Sequence, residues 1–175
     1  MLAIHLLFIG NSFGLEPKLV GRTGTKNVPM FIITRERIFA KRSVHCYNFV
    51  TMVITYYGKE FFKLQLGDTT IAINPIGKDS KLSGTKFGSD ICLITTNHPD
   101  YNGRESASHG DKNPVVIDGP GEYEVKGIFI KGFQSKATLD KEEFINTIYV
   151  FSFDNISLCI LGALGNKDLP TGVRE

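Results

Sequence analysis

Short runs of alternating apolar and polar residues, separated by turn signals, dominate the chain from Met52 onward. Two of these runs, at residues 60–66 and 69–74, are joined by Gly67 and Asp68. A glycine at the first position of a two-residue loop permits the positive φ that a type II′ hairpin turn requires. Closely spaced runs of this kind predict a β-rich domain, because a half-buried strand repeats every two residues.

The same pattern continues through the rest of the chain. Helix signals are few, and they occur only at residues 139–144 and at a start near Asp168. The other predicted elements are strands at 53–57, 91–95 and 114–118, a turn at 118–121, an alternating run at 122–133, and a hairpin of 147–153 with 156–161. We therefore predict the α+β class, with strands dominating.

Composition and charge divide the chain into two parts. Its 175 residues, 42% hydrophobic and 22% charged, suit one globular domain with a core. Residues 1–51 hold seven Lys/Arg and two acids, whereas residues 52–175 carry a net charge of −3. We predict that 1–51 is a basic extension, poorly ordered or peripheral, and that the compact domain starts near Met52. Within the extension, residues 31–41 fit either a strand or a basic amphipathic helix, and a solvated surface segment is favoured over a nucleic-acid or membrane patch.

Cysteine usage and the N-terminal sequence favour a cytoplasmic protein. The three cysteines (Cys46, Cys92 and Cys159) are far apart in sequence, which argues against a disulfide framework or a zinc ribbon. Residues 1–10 lack the basic start of a signal peptide, and no run approaches the roughly 20 apolar residues of a membrane helix. We expect a reduced, cytoplasmic setting without membrane insertion.

Residues 95–101 carry the strongest functional signal. They read Thr-Thr-Asn-His-Pro-Asp-Tyr and follow a short apolar run, so they lie where a buried strand gives way to a loop. With the hairpin that ends in Asn74 and Pro75, and with Gly-Pro-Gly-Glu-Tyr-Glu-Val-Lys-Gly at 119–127, this order of parts resembles the metallo-β-lactamase superfamily. The resemblance is to its branch of small Zn-dependent hydrolases, which usually has Asp-Pro at the hairpin end, and it covers about residues 52–165. It implies an αββα sandwich, mainly the N-terminal β-rich half.

The resemblance also implies a metal site, and half of its first motif is altered. The family motif is His-x-His-x-Asp-His, whose imidazoles and carboxylate bind metal ions that generate a hydroxide nucleophile. Here His98 and Asp100 remain, whereas Thr96 and Tyr101 occupy the other two positions. A threonine hydroxyl is a poor zinc ligand, and a tyrosine phenol must first lose a proton with a pKa of about 10.

The other ligand positions that the resemblance implies are altered as well. Gln134 stands where a later strand should present a histidine, and Ala163 stands where a bridging aspartate is expected. In the family, the second histidine and the aspartate of the first motif serve different metals, so each metal would keep one ligand from this loop. Catalytic zinc sites generally use three protein ligands.

Three functional hypotheses remain open. The favoured one is a non-catalytic binding or assembly module without a cofactor, in which a second copy or a protein partner covers an incomplete sandwich. The second is a zinc-dependent hydrolase with an atypical site: His98 and Asp100 are ligands, Asp100 is also catalytic, and Asp118, Glu122 or Glu124 is recruited.

The third hypothesis is a nucleic-acid binder that uses the basic extension. It is the least favoured, because the rest of the chain is net acidic and lacks aromatic residues interleaved with basic ones. A local Ser/His/Asp set around His109, within residues 106–111, is also weak. Members of a catalytic triad usually converge from separate elements of a fold.

Overall fold

The structure is a computed structural model that describes residues 6–8, 20–23, 29–41, 44–153, 156–165 and 169–173, with side chains described from Met52 onward. The described part contains twelve strands and one turn of 3-10 helix, Arg104–Ser106. The strands are β1 Leu6–Phe8, β2 Val20–Thr23, β3 Pro29–Lys41, β4 Val44–Gly58, β5 Phe61–Leu66, β6 Thr69–Ile73, β7 Ile91–Leu93, β8 Val115–Ile117, β9 Gly121–Val125, β10 Ile128–Leu139, β11 Glu142–Phe153 and β12 Ile156–Ile160.

These strands form two sheets. One has five strands in the order β1-β12-β11-β10-β9, and the other has seven in the order β2-β3-β4-β5-β6-β7-β8. Only the β6–β7 and β7–β8 pairs are parallel among the described pairings. The predicted dominance of β-strands is confirmed.

The main hydrophobic core lies between the two sheets and draws on both of them. The seven-stranded sheet contributes Met52, Ile54, Tyr56, Phe62, Leu64, Ile71, Ile73, Ile91, Leu93 and Ile117, and the five-stranded sheet contributes Ile128, Ile130, Tyr149, Phe151, Phe153, Leu158 and Ile160. This chain therefore supplies its own second sheet. That a second copy or a protein partner binds this chain stays a prediction.

Coil segments cover the outer faces of both sheets. On the seven-stranded sheet, Phe87 and Ala107 pack against Ala72, Cys92 and Ile94. On the five-stranded sheet, a second cluster forms where the C-terminal segment contributes Leu164, Leu169 and Val173 to a layer with Phe133, Ile148, Val150, Cys159 and Leu161. Cys92 and Cys159 are both free and buried, as expected of small apolar residues.

Two hairpins test the sequence-based assignment of turns. Gly67 joins β5 to β6 with φ +56°, which confirms the predicted turn. The helix predicted at 139–144 is wrong: Asp140 and Lys141, with φ values of 50° and 70°, form the turn between β10 and β11. Pairing with a long neighbouring strand overrides the local helix propensity of this segment. The helix start predicted near Asp168 lies outside the described residues.

Two further boundaries differ from the sequence-based prediction. The alternating run at 122–133 is divided into β9 and β10 by a turn at Lys126 and Gly127, both with positive φ. Strand β4 is continuous through Met52, and its first residues pair with β3. The prediction of a separate extension over 1–51 is not tested by this pairing alone. In the part of the chain that the structure covers, no helix has the length and apolar character needed to cross a membrane.

Candidate functional site

The loop that follows β7 is held by neighbouring strands of both sheets. In the seven-stranded sheet, Ile94 N donates to Ile117 O at 2.9 Å, and the buried Asn74 accepts from Thr95 N through Oδ1 at 2.8 Å. From the five-stranded sheet, Tyr149 Oη donates to Ile94 O at 2.9 Å, and Thr147 N donates to Thr95 O at 2.7 Å. The loop therefore begins at a fixed position between the two sheets.

A tight turn positions the next residues of the loop. His98 O accepts hydrogen bonds from Tyr101 N and Asn102 N at 2.8 and 3.0 Å. Gly103 N then donates to Pro75 O at 2.8 Å. A side chain at Gly103 would collide with the backbone of Ile76, so a glycine is needed where these two segments meet. As a result, His98 and Asp100 are held on a compact turn, as the sequence predicts.

Both ring nitrogens of His98 are engaged. Nδ1 accepts a hydrogen bond from Asp100 N at 3.2 Å, and Nε2 lies 3.3 Å from Asp140 Oδ2. Because Nδ1 is an acceptor, the ring proton belongs on Nε2, which donates it to the carboxylate. The ring also makes edge contacts with Tyr101 and Phe144 at centroid distances of 6.0 and 5.5 Å, and only 12% of the side chain is exposed.

The Asp100 carboxylate is engaged through both oxygens. Oδ1 accepts from Ser80 Oγ at 2.5 Å, and Oδ2 lies 2.7 Å from Lys59 Nζ. Burial by itself raises the pKa of Asp100, but the hydrogen bonds from Lys59 and Ser80 and the positive charge of Lys59 outweigh it, so the pKa lies below its ordinary value. Asp100 is thus a stabilised carboxylate whose counter-ion is a lysine.

Thr96 and Tyr101, at two of the altered motif positions, have other structural roles. Thr96 is buried, donates through Oγ1 to Ile145 O at 2.6 Å and forms a backbone bridge with Asn146. Tyr101 is 5% exposed, and burial, followed by the charges of Glu60 and Asp100, raises its pKa to about 12. The phenol therefore stays protonated, which makes it a poor metal ligand.

The altered positions on the later strands surround one buried amide. Asn146 Nδ2 donates to Ser135 Oγ at 2.7 Å and to Leu161 O at 2.9 Å, and Oδ1 accepts from Ala163 N at 3.1 Å. Asn146 itself is fully buried. Gln134, beside Ser135, is exposed. The elements that would bring a metal ligand from Gln134 and Ala163 are therefore linked to each other through the Asn146 side chain.

The donor atoms present do not fit a metal ion. An imidazole binds a metal through a free lone pair, and the Nδ1 lone pair of His98 already accepts from Asp100 N. A metal ion bound to Asp100 would be repelled by the Lys59 ammonium, which lies 2.7 Å from the carboxylate. Over the described residues, no group of three or more His, Cys, Asp or Glu side chains is arranged to hold a metal. The acidic residues proposed for recruitment have other partners or positions: Asp118 pairs with Arg104, Glu122 pairs with Lys131, and Glu124 is exposed on β9.

The predicted site residues and the observed contacts overlap only in part. Sequence reasoning found His98 and Asp100 but missed Lys59, Ser80, Asp140 and Asn146, which hold the site together. A turn at Asp140 would have pointed to an exposed carboxylate near the loop, but the predicted helix at 139–144 left no turn there. The Ser/His/Asp hypothesis gains no support, because Ser106 Oγ donates to Ile76 O and His109 is exposed.

Two buried polar atoms near the start of the loop have no partner. They are Asn74 Nδ2 and Thr95 Oγ1, although Asn74 uses its other side-chain atom to bind Thr95 N. Asn74 stands where the family branch usually has aspartate, and an aspartate would carry no such donor. Thr95 also lies against Gly162, whose φ of +61° and close neighbours leave no room for a side chain. The packing here is tight, and two buried polar atoms in it lack hydrogen-bond partners.

Comparisons with known proteins agree with this fold. A sequence model described as "Beta-lactamase superfamily domain" matches residues 53–171. The comparison with curated proteins gives no match. The structure is similar to a crystal structure of a proposed Zn-dependent hydrolase of the metallo-β-lactamase superfamily from Thermotoga maritima, at 29% identity and a TM-score of 0.51. That match covers 68% of this chain and 53% of the other, so this chain spans about half of that relative's length.

A second solved structure is also similar. It is a proposed metal-dependent hydrolase from Parabacteroides distasonis, at 15% identity and a TM-score of 0.44, and the match covers 69% of this chain and 62% of the other. The family model alone spans well over half of the present sequence. The chain therefore belongs to the β-lactamase superfamily domain family, within the metallo-β-lactamase superfamily.

Proposed function

We propose that this protein is a non-catalytic member of the metallo-β-lactamase superfamily, a cytoplasmic binding or assembly module whose metal site has been replaced by internal contacts. One observation supports this most directly. All four side-chain atoms of His98 and Asp100 that could bind a metal already have partners. Nδ1 and Nε2 of His98 contact Asp100 N and Asp140, and Oδ1 and Oδ2 of Asp100 contact Ser80 and Lys59, all at 2.5–3.3 Å.

The chemistry of these contacts opposes metal binding in two ways. Ligation of a divalent cation by Asp100 would bring the metal close to the Lys59 ammonium, and the repulsion between them is strong in a partly buried site. Ligation by His98 through Nε2 would need the ring proton on Nδ1, but Nδ1 already accepts from Asp100 N. The Lys59 contact must therefore break before Asp100 can bind a metal, and the Nδ1 hydrogen bond must break before His98 can.

The second candidate is a zinc-dependent hydrolase with an atypical site built on His98 and Asp100. The observation that favours it is the 29% identity to a protein proposed to be a Zn-dependent hydrolase. In this case His98 and Asp100 are metal ligands and Asp100 also serves catalysis. Asp118, Glu122 or Glu124 would have to move towards them to complete a set of three protein ligands.

Metal analysis of the protein distinguishes the two candidates. The protein is purified without chelators, and zinc, manganese and iron are measured in wild type, His98→Ala and His109→Ala. His109 is an exposed loop histidine and serves as the matched control. We expect far less than one metal per chain, with the same content in all three proteins. Stoichiometric metal that is lost in His98→Ala but retained in His109→Ala would overturn the proposed replacement of the metal site and leave the hydrolase candidate.

The binding role is proposed for a protein partner or a second copy of the chain. Large apolar side chains that are exposed include Phe129, Ile145 and Val115, at 65%, 63% and 51% exposure. Single exposed apolar residues are common on protein surfaces, so these positions identify candidates for substitution rather than an interface. Sedimentation across a wide concentration range tests self-association, and a concentration-independent monomer would leave only a different protein as the partner.

A further inference from the structure

Strand β12 lies at an edge of the family-matched region, but its residues are typical of an interior strand. Leu158, Cys159 and Ile160 are 0%, 0% and 2% exposed. Leu158 and Ile160 belong to the core between the sheets, whereas Cys159 belongs to the cluster on the outer face. The strand, Ile-Ser-Leu-Cys-Ile, is therefore buried on both faces, and it contains no charge and no proline. Edge strands of soluble proteins usually carry such features because they discourage pairing with other chains.

Strand β4 has the same character over residues 53–58. Its sequence there, Val-Ile-Thr-Tyr-Tyr-Gly, has no charged residue and no proline. Ile54 and Tyr56 lie in the main core, and the alternate residues are partly buried on the outer face. Within the region that the family model matches, β4 is the outermost strand at one end of the seven-stranded sheet, and β12 is the outermost strand at one end of the five-stranded sheet.

The strands at the opposite ends of the two sheets, β8 and β9, are protected differently. Strand β8 has only three residues, which limits the hydrogen bonds that it offers to another chain. Strand β9 carries exposed glutamates at Glu122 and Glu124. Short length and charge are two common ways to keep an edge strand from pairing with another molecule. The two ends of each sheet therefore differ: β8 and β9 carry features that discourage pairing, whereas β4 and β12 lack them.

In the structure, residues that precede the family-matched region provide this cover. Strand β1 pairs with β12, with Leu7 opposite Cys159. Strand β3 pairs with β4, with Phe31 opposite Ile54, and β2 adds to the outside of β3. The N-terminal residues thus add strands to both sheets.

We propose that the N-terminal strands are a cover for two pairing-competent sheet edges, and that when β1 is displaced the β12 edge pairs with β12 of a second copy of this chain. Antiparallel pairing would satisfy the free backbone groups of both copies. The uncharged sequence of β12 makes a second copy a suitable partner, since no like charges face each other. The proposal is independent of the metal question and opposes the sequence-based prediction that 1–51 is peripheral.

Hydrogen exchange in the wild-type chain is the first test. In a true edge strand, alternate amides face solvent and exchange rapidly, because only every second N–H bonds to the neighbouring strand. If β1 covers β12, the consecutive amides from Leu158 to Ile160 are protected alike. Rapid exchange of alternate β12 amides in the wild-type protein would overturn the proposal without any variant.

A pair of double variants in the full chain is the second test. Of two consecutive residues in β1, only one donates its backbone N–H to β12, so the double variant Leu6→Pro and Leu7→Pro removes that donor in either case. The double variant Leu6→Ala and Leu7→Ala retains both N–H groups and is the control. For the proline variant at low concentration we expect at least tenfold faster exchange of β12 amides, and at high concentration a dimer by sedimentation. If the proline variant exchanges its β12 amides at the same rate as the alanine variant, β1 does not cover β12. If the proline variant is a monomer at all concentrations, a second copy does not pair with the freed β12 edge.

Discussion

Lys59 Nζ lies 2.7 Å from Asp100 Oδ2, so a lysine ammonium neutralises the carboxylate that survives from the metal motif. On the other side of the loop, His98 Nε2 lies 3.3 Å from Asp140 Oδ2 and donates a hydrogen bond to it. Lys59 and Asp140 share an unusual backbone conformation, with φ values of 52° and 50° in tight turns between strands. Non-glycine residues rarely adopt positive φ, and where they do a compensating contact is expected. Each turn thus places a charged side chain against His98 or Asp100, the two residues of the family motif that this chain retains.

Replacement of Lys59 by methionine should weaken the loop without unfolding the protein. The lysine side chain is 43% exposed, so the ion pair should contribute only about 0.2–1 kcal/mol to the free energy of unfolding. The pKa of Asp100 should rise towards its ordinary value of 3.8, because Lys59 is the main group that lowers it against burial. Carbon-detected NMR titration of the Asp100 carboxyl measures this rise directly.

Lys81→Met is the matched control for the Lys59 substitution. Lys81 is an exposed lysine beside Ser80, which contacts the other oxygen of Asp100. Its replacement should leave the pKa of Asp100 unchanged. Equal shifts in the two variants would show that general surface charge, rather than the Lys59 contact, holds the carboxylate ionised.

Replacement of Asn146 by alanine should destabilise the fold strongly. The amide is fully buried and bonds Ser135 Oγ, Leu161 O and Ala163 N, so its removal leaves several buried polar groups without partners. Each such group costs about 1–3 kcal/mol, and a loss of at least about 2 kcal/mol in the free energy of unfolding is expected by urea denaturation. Ile145→Ala is the adjacent control: its side chain is 63% exposed, and a loss below about 0.5 kcal/mol is expected. Similar losses for both would contradict the role of the buried amide.

Local sequence was sufficient to predict those parts of the fold that depend on local chemistry. The Gly67 turn follows from a glycine between two alternating runs, and the position of His98 and Asp100 follows from a buried run before a polar loop. Residues 139–144 were predicted wrongly because leucine, lysine and glutamate favour a helix. Cross-strand pairs such as Ala137 with Phe144 decide the structure there.

The contacts made by His98 and Thr96 could not be predicted because they join distant parts of the chain. His98 and Asp140 are 42 residues apart, and Thr96 and Ile145 are 49 residues apart. Nothing in the loop itself specifies these partners. The altered motif positions made a metal doubtful, but only the three-dimensional arrangement shows that a buried amide, the Lys59–Asp100 ion pair and the His98–Asp140 hydrogen bond occupy the same region.

Replacement of Lys141 by glycine should stabilise the protein. Lys141 has φ of 70° in a two-residue turn, and a left-handed conformation costs an L-residue about 1 kcal/mol that glycine does not incur. Thermal or urea unfolding should therefore show a gain of up to about 1 kcal/mol for Lys141→Gly. Lys141→Ala also removes the side chain but retains the strained conformation, so it should give no gain. A gain of the same size for alanine would assign the effect to the lysine side chain.

Replacement of Asp90 by asparagine should reduce stability in a manner that depends on pH. Burial raises the pKa of Asp90, but hydrogen bonds from Lys126, Lys112 and Thr70 N outweigh it and bring the pKa to about 2, against an ordinary value of 3.8. A carboxyl whose pKa is lowered on folding stabilises the protein above its unfolded pKa, and this contribution is lost as pH falls through the folded pKa.

The difference in unfolding free energy between wild type and Asp90→Asn should therefore be nearly constant above about pH 5 and shrink by about 2 kcal/mol towards about pH 2. Urea denaturation at a series of pH values measures this difference. Asp79→Asn is the control, because Asp79 is an exposed carboxylate of the preceding loop. Its difference from wild type should stay small at every pH, and an Asp90 difference that did not change below pH 4 would show that Lys112 and Lys126 do not lower the Asp90 pKa.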